Sequence, residues 1–116
     1  MSVDKTKESQ YQSQLEWRDK HGYSHFGLQT GYTWENDPRH VLFTLARYKF
    51  VAKMFSGFKK VLEVGCGDGT GAHLVLQEVD NLLAIDFDPI YIGDIKNRLK
   101  KHNAFDCQTH DILDGP

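Results

Sequence analysis

The sequence predicts an α/β fold, a parallel sheet with helices on both faces. Three observations predict it. Short apolar runs, the first rich in β-branched residues, alternate with stretches of helical period, in the order helix, strand, helix, strand, helix, strand. Such alternation joins parallel strands through right-handed helical crossovers. Two Asp-Pro pairs, at 37–38 and 88–89, mark helix starts, because an aspartate caps a helix and a proline fits its first turn. The stretch GCGDGTG, residues 65–71, places four glycines in seven positions between the first strand and the helix after it.

Residues 1–20 are polar, with a weak helical pattern through Tyr11, Leu15 and Trp17. They read as a loosely docked helical extension. Residues 21–36, HGYSHFGLQTGYTWEN, mix glycine with aromatic and polar residues and read as a loop carrying Tyr23, Phe26, Tyr32 and Trp34. This division gives an N-terminal arm and aromatic loop, 1–36, and a sheet domain, 37–116. From Pro38 the chain sets Val41, Leu42, Leu45, Ala46, Val51 and Met54 at helical spacing, and Gly57 is a stop signal. Arg47, Lys49 and Lys53, with Lys59 and Lys60 beyond, read as a solvated face that also suits the negative end of the helix dipole. Strands are expected at 61–64, 81–86 and, more weakly, 104–110. Helices are expected over GAHLVLQEV, 71–79, and over PIYIGDIKNRLKKH, 89–102, the latter capped by Asp88.

The totals bound the function. The 116 residues make one small domain, and 40% hydrophobic with 26% charged residues is ordinary for a globular chain. A formal net charge of −2 gives no reason to expect a nucleic-acid or membrane partner. No apolar run approaches the ~20 residues that span a bilayer. The first ten residues, MSVDKTKESQ, hold no signal core. Cys66 and Cys107 therefore read as free thiols of a reducing, cytoplasmic setting. His21 and His25 stand four apart, but in a glycine-bearing loop, so no metal site is expected.

In a parallel α/β sheet, ligands bind beyond the C-terminal strand ends. Three polar clusters fall there: the glycine loop, Asp86-Phe87-Asp88 and His110-Asp111. Glycines let a ligand approach the main chain, and a loop that opens a helix offers free amides to an anion. Asp86, 21 positions after Gly65, suits a pair of ribose hydroxyls. Each cluster also has a plainer reading: a tight turn, a helix cap by Asp86, a turn residue in Asp111. The pattern G-x-G-x-x-G/A fits only when counted from Gly67 to Ala72, and no lysine follows as in a P-loop. Glu63 weighs further. Its charge would repel a pyrophosphate and attract an ammonium or sulfonium.

At these residues the sequence resembles the class I S-adenosylmethionine-dependent methyltransferases. The resemblance rests on VLEVGCGDGTG (61–71), LLAIDFDP (82–89) and THDILDGP (109–116), and covers roughly residues 40–116. It implies a Rossmann-like sheet with S-adenosyl-L-methionine as cofactor. Glu63, Gly65, Cys66 and Gly67 would line its methionine part, Asp86 would hold the ribose, Phe87 would lie beside the adenine, and Asp111 and Ile112 would face the adenine edge. The acceptor is expected to be a small molecule. The resemblance names no general base, so the catalytic residue stays unassigned. It implies seven strands, whereas the sequence supplies three. The expectation is therefore the N-terminal half of a longer enzyme, with a missing C-terminal half or a partner chain covering the open sheet edge. Two other classes stay open: a non-catalytic partner or regulatory module keeping the fold, and a nucleotide-binding oxidoreductase domain.

Overall fold

A computed structural model describes residues 4–99 and 104–116. Its three strands, β1 (Lys60–Val64), β2 (Asn81–Asp86) and β3 (Phe105–Thr109), form one parallel sheet in the order β1-β2-β3. The register pairs Val61 with Leu82, Glu63 with Ala84 and Asp86 with Thr109. Five helices accompany them: α1 (Gln12–His21), α2 (Leu28–Asn36), α3 (Pro38–Met54), α4 (Ala72–Leu76) and α5 (Pro89–Arg98).

Local chemistry accounts for most boundaries. Pro38 opens α3 and Pro89 opens α5, and the Asp88 carboxylate caps α5 by accepting from the Ile90 amide at 2.9 Å. Gly57 adopts φ 85° just past α3, a conformation that costs glycine little. The expected helix over 71–79 is shorter than its pattern, closing at Leu76. The expected end of α5 lies partly outside the described residues, from residue 100 on, as do residues 1–3 of the arm.

Two buried clusters lie on one face of the sheet, and Ile85 is buried on the other. Ala52 of α3, Ala72 and Val75 of α4, Val79 in the turn after α4, and Leu82 of β2 form one buried cluster. Ala84, Cys107, Cys66, Ile92 and Ile95 form the second. Leu82 and Ala84 alternate with Leu83, so both clusters share a face. Right-handed crossovers that step in one direction put their helices on the same side. The described α3, α4 and α5 thus cover one of the two faces expected to carry helices. On the other face Leu62 and Val64 remain half exposed.

The segment read as a loop, 21–36, departs from expectation. Residues 28–36 are helical, and α2 packs on α3 although none of its residues is buried. α1 likewise buries nothing. Among the described residues, no helix is long and apolar enough to cross a membrane.

Candidate functional site

The glycine loop leaves β1 through three left-handed glycines, Gly65 (φ 76°), Gly67 (φ 58°) and Gly69 (φ 74°). Only glycine takes this path at low cost. The loop's amides turn inward. Those of Gly65 and Cys66 donate to the Ile85 carbonyl at 2.8 and 3.0 Å, and that of Gly69 to the Cys66 carbonyl at 3.1 Å. The Gly67 amide donates to Asp86 Oδ2 at 2.9 Å, and the Thr70 amide to Asp68 Oδ1 at 3.1 Å. A phosphate cradle needs such amides free. Five of them are committed, so the expectation of open donors here is corrected. This also removes the main hydrogen-bond source of a dinucleotide reading.

Glu63 alternates with Leu62 and so points to the helical face, towards α3. The Tyr48 hydroxyl donates to its Oε2. Its Oε1 is buried with no hydrogen-bond partner among the described residues. Burial pushes the Glu63 carboxyl above its ordinary range, against the pull of the Tyr48 hydrogen bond. Burial also raises the Tyr48 phenol, and the Glu63 charge adds to it. Gly71 lies flat against the Tyr48 ring, where a Cβ would overlap it. The three residues therefore interlock.

Asp86 is 8% exposed at the end of β2. Its Oδ1 accepts from the Asp88 amide at 2.9 Å and its Oδ2 from Gly67, leaving a lone pair on each oxygen. Helix capping, the plainer reading of Asp86, falls instead to Asp88. Phe87, 73% exposed, follows it directly. The His110 amide donates to the Asp86 carbonyl at 3.0 Å, which ties the third cluster to the second. Asp111 accepts from the Leu113 amide at 2.9 Å and caps a 3-10 turn, Ile112–Asp114, so its carboxylate serves that turn; Ile112 is half exposed. The buried Cys66 thiol is pushed up to about 12, first by burial and then by the Glu63 and Asp86 charges. It stays protonated, a small filler and no nucleophile.

Sequence reasoning missed a second network, which docks α2 on the loop. Asp68, 3% exposed, accepts from the Thr30 amide at 2.6 Å and the Thr30 hydroxyl at 3.1 Å. Burial alone would raise the Asp68 carboxyl, but hydrogen bonds from Thr30 and Thr70 outweigh it and hold it below its ordinary range. Asp94 Oδ2 accepts from the Leu28 amide at 2.9 Å, and its Oδ1 from Arg98 Nε at 3.2 Å. Arg98 also donates to the Asp68 carbonyl. Two carboxylates from elsewhere in the chain thus cap α2. At Gly27 a Cβ would lie 2.6 Å from the Asp68 side chain, so only glycine fits. A sequence signal existed for Tyr48, which shares a helical face with Val41, Leu45 and Ala52. None existed for Asp68.

No family model matches the sequence. No curated protein matches it either. Solved structures do. The N-methyltransferase NodS from Bradyrhizobium japonicum WM9, in complex with S-adenosyl-L-homocysteine, is 22% identical with a TM-score of 0.56, over 75% of this chain and 44% of that one. A dimethyladenosine transferase from Plasmodium falciparum is 25% identical with a TM-score of 0.53, over 63% and 27%. The 23S rRNA methyltransferase ErmE is 22% identical with a TM-score of 0.53, over 62% and 29%. The chain spans less than half the length of these solved structures. With its parallel β1-β2-β3 sheet and a glycine loop at the end of β1, the chain has the fold of the class I S-adenosylmethionine-dependent methyltransferases.

Proposed function

We propose that this chain binds S-adenosyl-L-methionine and serves methyl transfer to a small-molecule acceptor. The observation that carries the reading is Glu63, whose buried Oε1 lacks a described partner beside the loop of three left-handed glycines. An uncompensated buried carboxylate oxygen is costly, and a cationic amino group relieves it. The residues present fit the cofactor. Glu63 takes its ammonium, and Gly65 and Gly67 let the methionine part approach, with Cys66 as filler. The free lone pairs of Asp86 accept the ribose hydroxyls, and exposed Phe87 lies along the adenine. Asp111 and Ile112 border the adenine edge, Asp111 through the turn it caps. When bound, the cofactor supplies a methyl group on a sulfonium, open to in-line displacement. The contribution of this chain is position and electrostatics, and no side chain is assigned as base.

Several features support the rest of this reading. The modest net charge favours a small acceptor over nucleic acid. Two buried free thiols accord with a cytoplasmic setting. The free edge of β1 and the half-exposed Leu62 and Val64 invite further strands, from a C-terminal half or a partner chain, because an open apolar edge is prone to pairing. On this reading the chain is the cofactor-binding half of an enzyme, and residues 1–36 are an arm that closes on its sheet domain.

The test is Glu63→Gln. The change keeps the shape and removes the charge. Affinity for S-adenosylmethionine by calorimetry falls at least about tenfold, the usual scale for a hydrogen bond to a charged group. Equal affinity in the variant refutes the assignment of Glu63.

A further inference from the structure

Helix α2 is docked by its first turn. The Leu28 amide donates to Asp94 of α5 at 2.9 Å, and the Thr30 amide and hydroxyl donate to Asp68 of the glycine loop at 2.6 and 3.1 Å. Arg98 ties the two acceptors together, through Nε to Asp94 and through a terminal nitrogen to the Asp68 carbonyl. Apolar packing adds little. No residue of α2 is buried. A cavity of about 190 Å³, lined by Gln29 and Thr33 of α2 and by Val41 and Thr44 of α3, separates part of the two helices. A close-packed helix pair leaves no such void. The other end of α2 is a joint. Asp37 is the single residue between α2 and α3, and its ψ of 76° breaks the helical path. Pro38 enforces that break, because a proline disfavours helical geometry in the residue before it. The helix therefore has a covalent pivot at one end and a polar latch at the other.

The latch sits on the candidate site itself. Asp68 stands between the left-handed Gly67 and Gly69. Gln29, on the latched turn, lies over Gly67, where a Cβ would overlap its carboxamide. At Gly65 a Cβ would meet nothing. The Gln29 side chain enters no described hydrogen bond, so it fills the clearance at Gly67 without being anchored there. We infer that α2 is a gate, pivoting at Asp37 and latched by Asp68 and Asp94, that lifts to let a ligand reach Gly67. The ligand is the cofactor, a step that rests on the proposed function. A ligand enters and leaves only while the gate is lifted. Weakening the latch therefore speeds entry and exit together.

Stopped-flow tryptophan fluorescence with S-adenosylhomocysteine as probe tests this, and Trp34 lies on the gate itself. In the unmutated protein the observed binding rate is expected to level off as the probe concentration rises, because lifting becomes limiting. Two variants loosen the latch without touching the glycine loop. Asp94→Ala removes the acceptor of the Leu28 amide. Gly27→Ala sets a Cβ 2.6 Å from the Asp68 side chain, which the docked position cannot hold. Each raises both the plateau and the dissociation rate at least about fivefold, part of the roughly tenfold that a lost hydrogen bond to a charged group is worth. Slow hydrogen exchange in β1 and β2 shows that the sheet of each variant is intact. A rate that climbs in proportion to concentration and is the same in all three proteins overturns the gate and leaves the cofactor reading standing. Binding to none of the three overturns the cofactor reading and the gate with it. Binding to the variants alone supports both, as a gate latched closed in the unmutated chain.

Discussion

Glu63 joins the physical and functional parts of the account. Its pKa is raised by burial, so its proton linkage has a definite sign. A carboxyl whose folded pKa lies above its unfolded value contributes most to stability below that unfolded value, near 4.5, and loses the contribution as pH rises through the folded value. Urea titrations across this window show a stability slope that Glu63→Gln removes. Binding has the opposite dependence. A cationic ligand needs the ionised carboxylate, so affinity for S-adenosylmethionine falls as pH drops through the raised Glu63 pKa. Tyr48→Phe deletes the one described partner of the buried Glu63 carboxylate, which costs about 1–3 kcal/mol of unfolding free energy. Cys66 provides an independent check. With its thiol pushed up to about 12, its thiolate fraction at pH 8 is on the order of 10⁻⁴, so disulfide reagents label it only after unfolding.

At the scale of elements, α2 is the informative case. Its sequence, LQTGYTWEN, carries an internal glycine and no apolar face that gets buried, so local pattern gave no helix. What holds it is tertiary. The Leu28 amide reaches Asp94, 66 residues on, and the Thr30 amide reaches Asp68, 38 residues on. No local rule reports a cap supplied from that distance. The strands were legible for the converse reason. KVLEV and NLLAID are short apolar runs bounded by turn residues, and β2 runs over residues 81–86 as its apolar run does. Because polar bonds carry α2, it is separable from the core. Asp68→Asn undocks it, and hydrogen exchange at residues 28–36 quickens while β1 and β2 stay protected. The Asp68 carboxyl is lowered, so its contribution is present above its ordinary value of 3.8 and is lost as pH falls through the folded value. Acidification therefore releases α2 before it unfolds the sheet.

At the scale of the molecule, the sheet has one covered face and one face still partly open. Leu42, Phe43, Phe50 and Met54 on α3 and Leu62 and Val64 on β1 are all more than half exposed. So much apolar surface near an edge strand promotes association. Light scattering of this chain alone is expected to show self-association that grows with concentration, and Leu62→Lys with Val64→Lys reduces it. The clustering of Glu63, Gly65, Gly67 and Asp86 was legible because strand ends of a parallel sheet converge on one edge. The use of the loop amides was not legible. Whether an amide faces a ligand or an internal carboxylate depends on where Asp86 and Asp68 lie in space, and spacing along the chain does not report that.

The central claim is that the loop serves an adenosine-bearing cation and not a dinucleotide. Parallel calorimetric titrations of the protein with S-adenosylmethionine and with NAD test it most directly. The account predicts binding of S-adenosylmethionine at a single site and no binding of NAD. Binding of NAD without S-adenosylmethionine, or of neither, would contradict it.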